Sequence, residues 1–405
     1  MRPFWTQSVS SIRAKTACLP SQTTKVKSLR FFPFKSSCTR FMKTQTPPSA
    51  LWFKKIRQNL LKTSHTERKN LAPCRKYIFK KEGMRMSTYY IGADGGGTRT
   101  TAVLINEKGE ILKVLRGKGL NYHAIGLEKA QMHLKSLINE LTLDLTDATD
   151  LKIGVGMSAL DDLPTDRQLS DFAGNVFPKE DLFLHSDAYM ALMAATLGES
   201  GALVICGTGS MAVYADKTLK QTPAGGWGYL LGDYGSSYQL AVDGIRAAIR
   251  AFENTGKETQ LTNAMITRFS LQKPRELIDY AYAPTTVPSD IAKFAIDVLN
   301  LANAGDQAAA EIVREHFDIL SRTVDSLTKH DLPNTVWLFG GVFEHNAWVV
   351  DLFEKMLSRF KQTVRARLIP YPPAIGSAIY AMKMCASLTE TVLETIKNTY
   401  KETDF

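Results

Sequence analysis

Two short glycine-rich segments of this 405-residue chain combine residue types that can handle phosphate. The first is Asp94-Gly95-Gly96-Gly97-Thr98, at the end of the apolar run Tyr89 to Asp94. A strand that ends this way presents backbone N–H groups that no side chain shields, flanked by a carboxylate and a hydroxyl, and such a turn can cradle phosphates. The Asp94 carboxylate stands where a nucleotide-bound Mg²⁺ needs an oxygen ligand, directly or through water. A hairpin that merely needs positive φ is the plain alternative for one such turn. The second segment, Gly207-Thr208-Gly209-Ser210, shifts the balance. Two hydroxyl-bearing glycine turns, each opening a similar domain, are what a nucleotide clamped between two lobes requires. Neither matches GxxxxGK[ST] or GxGxxG, so P-loop and Rossmann readings fail.

The elements that must position these turns can be read from periodicity. Tyr89–Asp94, Thr100–Ile105 and Ile111–Leu115 form an antiparallel meander, with Glu107-Lys108-Gly109 as a turn. Leu127–Leu141 has helical spacing, and Lys152–Met157 and Leu182–Leu184 follow as strands, each leading into a helix. This half is α/β. Ala202–Cys206, the second glycine turn and Met211–Tyr214 repeat the opening logic. A helical block from about 237 to 330 interrupts the second half, the sheet resumes with Val336–Phe339 and Val364–Ile369, and Ala374–Cys385 and Leu388–Tyr400 close the chain as helices. The organisation expected is a basic leader at 1–85, an N-terminal lobe at 86–200, a C-terminal lobe at 201–386 with its insertion, and a final helix at 387–405. Gly340-Gly341, after a buried strand, and the turn Pro373-Ala374-Ile375-Gly376-Ser377 could let an adenine ring approach backbone, although helix–sheet packing is the commoner use of such glycines.

Composition narrows the function classes. Residues 1–85 hold 20 Lys and Arg against Glu67 and Glu82, whereas residues 86–405 hold 30 against 38 acids. The leader is read as an organellar transit peptide, a disordered arm, or translated upstream sequence ahead of a start at Met86, since Lys81-Glu82-Gly83 is encodable by a purine run of the kind ribosomes bind. The acidic body offers no basic stripe for nucleic acid. No apolar run approaches the roughly 18 residues of a membrane span. With only Cys206 and Cys385 in the body there is neither a disulfide framework nor a CxxC metal site, which fits a reducing cytoplasm.

The order DGGGT, Ser186-Asp187-Ala188, CGTGS, Gly225-Gly226-Trp227-Gly228-Tyr229-Leu230-Leu231-Gly232-Asp233 and FGGVF resembles the N-acetylglucosamine kinases and their relatives in the BadF/BadG ATPase family, over essentially all of residues 87–386. The resemblance implies two ribonuclease H-like, actin-like ATPase domains with a nucleotide cleft between them and a helical insertion. It implies ATP and Mg²⁺ as cofactors, with Asp94, Gly95, Gly96, Gly97, Thr98 and Thr208 serving phosphates and metal, and Gly340, Gly341 and Gly376 near the nucleoside. It further implies that Asn121, Gly209, Ser210, Gly225, Gly226, Trp227, Gly228 and Asp233 bind an amino sugar, and that Asp187 is its general base. Relatives usually read GDEG where this chain has Gly232-Asp233-Tyr234-Gly235, so no acid is available at 234.

On spacing alone Asp187 reads equally well as a helix N-cap, Asp233 as the cap of a helix starting near Ser237, and Trp227 as a core anchor. His185 and His345 read as packing or surface residues, and Cys206 as a buried strand-end residue. The expected activity is transfer of phosphate from ATP to the 6-hydroxyl of N-acetylglucosamine or a close amino sugar. The rivals are an iron–sulfur ATPase activator of a 2-hydroxyacyl-CoA dehydratase and a sugar-sensing protein without turnover. The helical block could supply a homodimer interface, a solvated subdomain being the equally economical account.

Overall fold

The computed structural model describes residues 87–145, 149–160, 165–174, 176–329 and 331–405. The chain partitions between Lys80 and Lys81, and every described residue belongs to the second unit. The expectations for the basic leader lie outside the described residues.

Two five-stranded sheets share one topology. In the first, β1 (Ser87–Gly95), β2 (Arg99–Asn106) and β3 (Ile111–Lys118) form the meander, and β4 (Thr149–Met157) and β5 (Leu182–Ser186) extend it in the order β3-β2-β1-β4-β5. In the second, β6 (Gly201–Cys206), β7 (Ser210–Ala215) and β8 (Gln221–Gly225) repeat the meander, and β9 (Thr335–Phe339) and β10 (Arg365–Leu368) pair parallel on the other side of β6. The duplicated fold is that of the actin-like ATPases. The sequence pattern does not mark the edge strand β8, because Pro223 and Gly225 dilute its alternation; an edge position tolerates a residue without an N–H.

Helices fill the faces. In the first lobe, α1 (Tyr122–Ile125), α2 (Leu127–Leu141) and α3 (Asp166–Ala173) precede α4 (Asp187–Thr196). On α2 the buried residues Ala130, Leu134, Leu137, Ile138 and Leu141 make one stripe against the first sheet. The insertion contains α5 (Ser237–Phe252), α6 (Leu261–Arg268), α7 (Leu277–Ala281), α8 (Pro288–Ala292), α9 (Ala295–Asn303) and α10 (Gln307–Leu327), and then come α11 (Gly341–Glu344) and α12 (Ala347–Leu357). Their apolar stripes build the largest core, around Phe294, Phe317, Phe343 and Phe353. The chain closes with α13 (Pro373–Met384) and α14 (Glu390–Thr399).

α4 and α13 are apolar on all sides, which marks buried helices. α13 packs on β1 and β2, α4 packs on β6 and β7, and the two helices cross each other. Small residues permit that crossing: a Cβ on Gly376 would lie 1.9 Å from the Met190 carbonyl oxygen, and one on Gly92 would lie 1.9 Å from that of Ala374. The segment Pro373–Ser377, read as a turn near the nucleoside, is the first helical turn of α13, and Gly376 is buried in it against α4. Proline at the first helical position supplies the stop and start signal together.

Candidate active site

Strand register sets the first half of the site. Asp94 pairs with Gly156, and Gly156 with His185, so β4 stands between the carboxyl ends of β1 and β5. Gly156 brings no side chain to the gap: a Cβ there would lie 2.9 Å from Met190 Cγ and 3.5 Å from the Cα of Asp187. Across this opening the carboxylates of Asp94 and Asp187 feel each other. Desolvation, and then repulsion from Asp187, push the Asp94 carboxyl from 3.8 up to about 7. Desolvation likewise raises Asp187, against the backbone N–H of Ala188, which donates to Asp187 Oδ1 at 2.8 Å.

Asp187 is the first residue of α4, not its cap. The cap is Ser186, whose Oγ accepts from the N–H of Tyr189. Asp187 is thereby fixed in direction by its helix, its carboxylate accepting from the first-turn N–H of Ala188 while Ser186 takes that of Tyr189. His185 lies beneath it, stacked on Tyr189 at 3.9 Å and edge-on to Tyr380, and burial lowers its imidazole to about 4. It is a neutral packing residue, whereas His345 ends α11 at the surface.

The first glycine turn is held from behind. The N–H groups of Leu120 and Gly119 donate to the carbonyls of Gly96 and Thr98. In a trans peptide the N–H of one residue points opposite the carbonyl of the residue before it, so the Gly97 N–H points away from this support. Gly97 and Thr98 are exposed. Just beyond, the Oδ1 of Asn121 caps α1 by accepting from His123 and Ala124, and its Nδ2 donates to Ser158 Oγ at 3.1 Å. Ser158, which sequence reasoning missed, follows the Met157–Ser186 pair and brings Asn121 to the edge that carries Asp187. Its only signal is its place after a buried parallel strand, where ligands of α/β sheets gather.

The second turn is built on the same principle with a helix behind it. At the start of α5, the N–H of Ser237 donates to the Gly207 carbonyl at 2.8 Å and that of Tyr238 to the Thr208 carbonyl at 3.4 Å. The N–H groups of Thr208 and Gly209 therefore point away from the helix, and the positive end of its dipole stands behind them. Thr208 and Gly209 are exposed. Gly340, at φ +100°, presses on this turn from β9: a Cβ there would lie 2.5 Å from the Cys206 carbonyl oxygen. Gly341 follows as the first residue of α11. Cys206 is a buried strand-end residue whose thiol burial raises, and Cys385 caps α13.

The segment 225–235 departs from expectation in its internal bonding. Asp233, buried at φ +64°, accepts at Oδ1 from the N–H of Gly228 at 3.1 Å and also from that of Ser210; Ser236, not Asp233, caps α5. Desolvation raises its carboxyl and those two donors oppose the rise. Ser210 is buried, with its hydroxyl donated to the Tyr234 carbonyl at 2.8 Å. Both residues, expected to face a sugar, tie the loop to the second turn. Trp227 is 74% exposed, with Leu230 at 77% and Leu231 at 80%, so the core-anchor reading of Trp227 fails. Gly225, Gly226 and Gly228 around it are exposed.

A profile of the BadF/BadG/BcrA/BcrD ATPase family matches residues 91–381. The chain is 29% identical over 311 residues to the N-acetyl-D-glucosamine kinase of Dictyostelium discoideum, covering 72% of this chain and 97% of that protein. It is 26% identical over 304 residues to the N-acetylmuramic acid/N-acetylglucosamine kinase of Clostridium acetobutylicum, covering 73% and 99%. A solved structure from Chromobacterium violaceum, described as a candidate N-acetylglucosamine kinase, shares the fold with a TM-score of 0.60 at 24% identity over 72% of this chain and 98% of that one. The duplicated sheets, the paired glycine turns and a profile match running from within β1 to within α13 place the chain in the BadF/BadG/BcrA/BcrD ATPase family.

Proposed function

We propose that the chain is an ATP-dependent kinase that phosphorylates a hydroxyl of an amino sugar, the 6-hydroxyl of N-acetylglucosamine being the first candidate. The observation that carries this reading is the electrostatic coupling of Asp94 and Asp187 beside Gly156 at the carboxyl ends of β1 and β5; supporting it, each lobe has a glycine turn whose N–H groups point outward. The names of the relatives support the sugar, and the family supports ATP.

The donor set fits Mg²⁺. Two hard carboxylates repel each other at one edge, and that repulsion helps keep Asp94 near 7 until a cation compensates it. Mg²⁺ takes one or two carboxylates and fills its shell with water and phosphate. Asp94 would hold it, and bound there it would neutralise charge on the transferring phosphate. The Gly97, Thr208 and Gly209 N–H groups would orient the phosphates. Asp187 would accept the sugar hydroxyl proton as that oxygen bonds to the γ-phosphorus and the bond to the β-phosphate oxygen breaks, leaving ADP and a sugar phosphate. Asn121 and Ser158 would hold the sugar on the first lobe, with Trp227 as an apolar wall from the second. No Lys or Arg occurs in segments 119–126, 156–162, 185–191, 207–211 or 224–236, which favours a neutral sugar over an anionic one.

A coupled assay with ATP, Mg²⁺ and, in turn, N-acetylglucosamine, glucosamine, N-acetylmannosamine and N-acetylmuramic acid tests this, with phosphorus NMR to locate the ester. N-acetylglucosamine 6-phosphate is the expected product, and Asp187→Asn should lower turnover by about two to four orders of magnitude in a folded protein. No phosphorylation of any of the four would overturn the reading.

A further inference from the structure

The loop that carries Asp233 is anchored in the helical insertion by a buried histidine that the site has not yet used. The N–H of Gly235 donates to His316 Nδ1 at 3.0 Å, and His316 Nε2 lies 2.9 Å from Asp243 Oδ2. His316 occupies a core position on the buried stripe of α10, with Val313, Phe317 and Leu320 beside it, and is 2% exposed. Asp243 sits on α5, and its other oxygen takes Arg246 Nη1 at 2.8 Å. The tautomer follows from donor counting. A backbone N–H can only donate, so Nδ1 must be bare, and the ring proton belongs on Nε2, where the Asp243 carboxylate accepts it. Either alternative, a proton on Nδ1 alone or on both nitrogens, would set two N–H groups against each other at Gly235.

We propose that His316, held in the Nε2–H tautomer by Asp243, is a positioning residue for the substrate side of the site: it pins the Gly235 peptide and so fixes the Asp233 carboxylate and the second glycine turn that Asp233 braces. This rests on the kinase reading for its functional consequence but not for its geometry. The chain of bonds is short. Gly235 lies two residues from Asp233, whose oxygens take the Gly228 and Ser210 N–H groups, and Ser210 closes the loop by donating to the Tyr234 carbonyl. There is little slack at Gly235, because a Cβ there would lie 2.3 Å from Leu320 Cδ1 on the same helix that carries His316. Tyr234, in the place of the usual acid, lays its ring 5.8 Å from the His316 ring and covers the pair. Beside the bonds from the start of α5 to the second glycine turn, the helical insertion thus holds the Asp233 loop through the imidazole of His316.

Two substitutions separate the two bonds of the ring. In His316→Asn the side-chain oxygen takes the place of Nδ1 and can still accept from Gly235, whereas in His316→Gln the amide reaches the Nε2 position and can bond Asp243 but leaves Gly235 unpaired. A buried N–H left unpaired is costly, so in His316→Gln the KM for N-acetylglucosamine should rise about tenfold with the KM for ATP within about twofold. Amide exchange at Gly235 and Gly228 should quicken by about the same factor, and His316→Asn should lie closer to wild type in both readouts. Nitrogen-15 NMR of the wild-type ring should show a proton on Nε2 alone. A proton on Nδ1, equal effects of the two variants, or unchanged Gly228 exchange in His316→Gln would overturn the proposal. Should His316→Gln not fold, the His316→Asn exchange pattern and the wild-type tautomer still decide it. Should the wild type phosphorylate no amino sugar, the kinase reading fails while tautomer and exchange judge the positioning role alone.

Discussion

Replacing Asp94 with Asn should stabilise the unliganded protein while abolishing its use of Mg²⁺ and ATP. In the native fold the carboxyl is pushed to about 7 against an ordinary 3.8, by desolvation first and Asp187 second. A folded-state value above the unfolded one means the native state holds its proton longer, so wild-type stability falls as pH rises from about 4 through about 7. At about 1.4 kcal/mol per pH unit the full penalty at pH 8 is on the order of 4 kcal/mol, and partial solvation of the site reduces it to about 2. Asn is nearly the same shape and cannot ionise, so at pH 8 the variant should melt about 3 °C higher, with the gain shrinking to nothing near pH 4. Adding Mg²⁺ and ATP should raise the melting temperature of the wild type but not of the variant, because the repelling carboxylate is the group a cation would satisfy. The assay is thermal unfolding between pH 4 and 8, with and without Mg²⁺ and ATP. A variant less stable than wild type at pH 8, or a difference that does not vary with pH, would refute the electrostatic account. Equal stabilisation of both proteins by Mg²⁺ and ATP would refute the metal role.

Gly156→Ala places a methyl group 2.9 Å from Met190 Cγ and 3.5 Å from the Cα of Asp187, so it should lower the unfolding free energy by about 1 to 3 kcal/mol and, by displacing Asp187, reduce turnover; unchanged turnover would show that close packing of Gly156 under Asp187 does not set the reacting geometry. Trp227→Ala, at a residue 74% exposed, should leave the melting temperature within about 2 °C while raising the KM for N-acetylglucosamine about tenfold and sparing that for ATP; equal loss for both ligands would remove Trp227 from the sugar side.

The sequence by itself determined what depends on neighbours along the chain. Apolar periodicity located Leu127–Leu141 to the residue, and glycine turns after buried strands marked both meanders, because side-chain period and turn chemistry are local properties. Asp94 and Asp187 were legible as candidates for the same reason, each standing at a strand end. What only the tertiary structure decided is which groups share a space. Strand register set Gly156 between the two carboxylates and brought Ser158 to Asn121, although neither pair is close in sequence. Helix packing turned Gly376 from a ligand contact into a crossing point, since a buried backbone with another helix against it has no face left for a nucleoside. Folding likewise spent Asp233 and Ser210 on backbone partners and handed the capping roles assigned to Asp187 and Asp233 to the serines beside α4 and α5. The bond from Gly235 to His316 spans 81 positions, and no local pattern distinguishes a core histidine that packs from one that holds a loop. Hydrogen bonds are satisfied by whatever the fold brings within about 3 Å, so a polar side chain's partner is a property of the packed molecule and its type alone is a property of the chain.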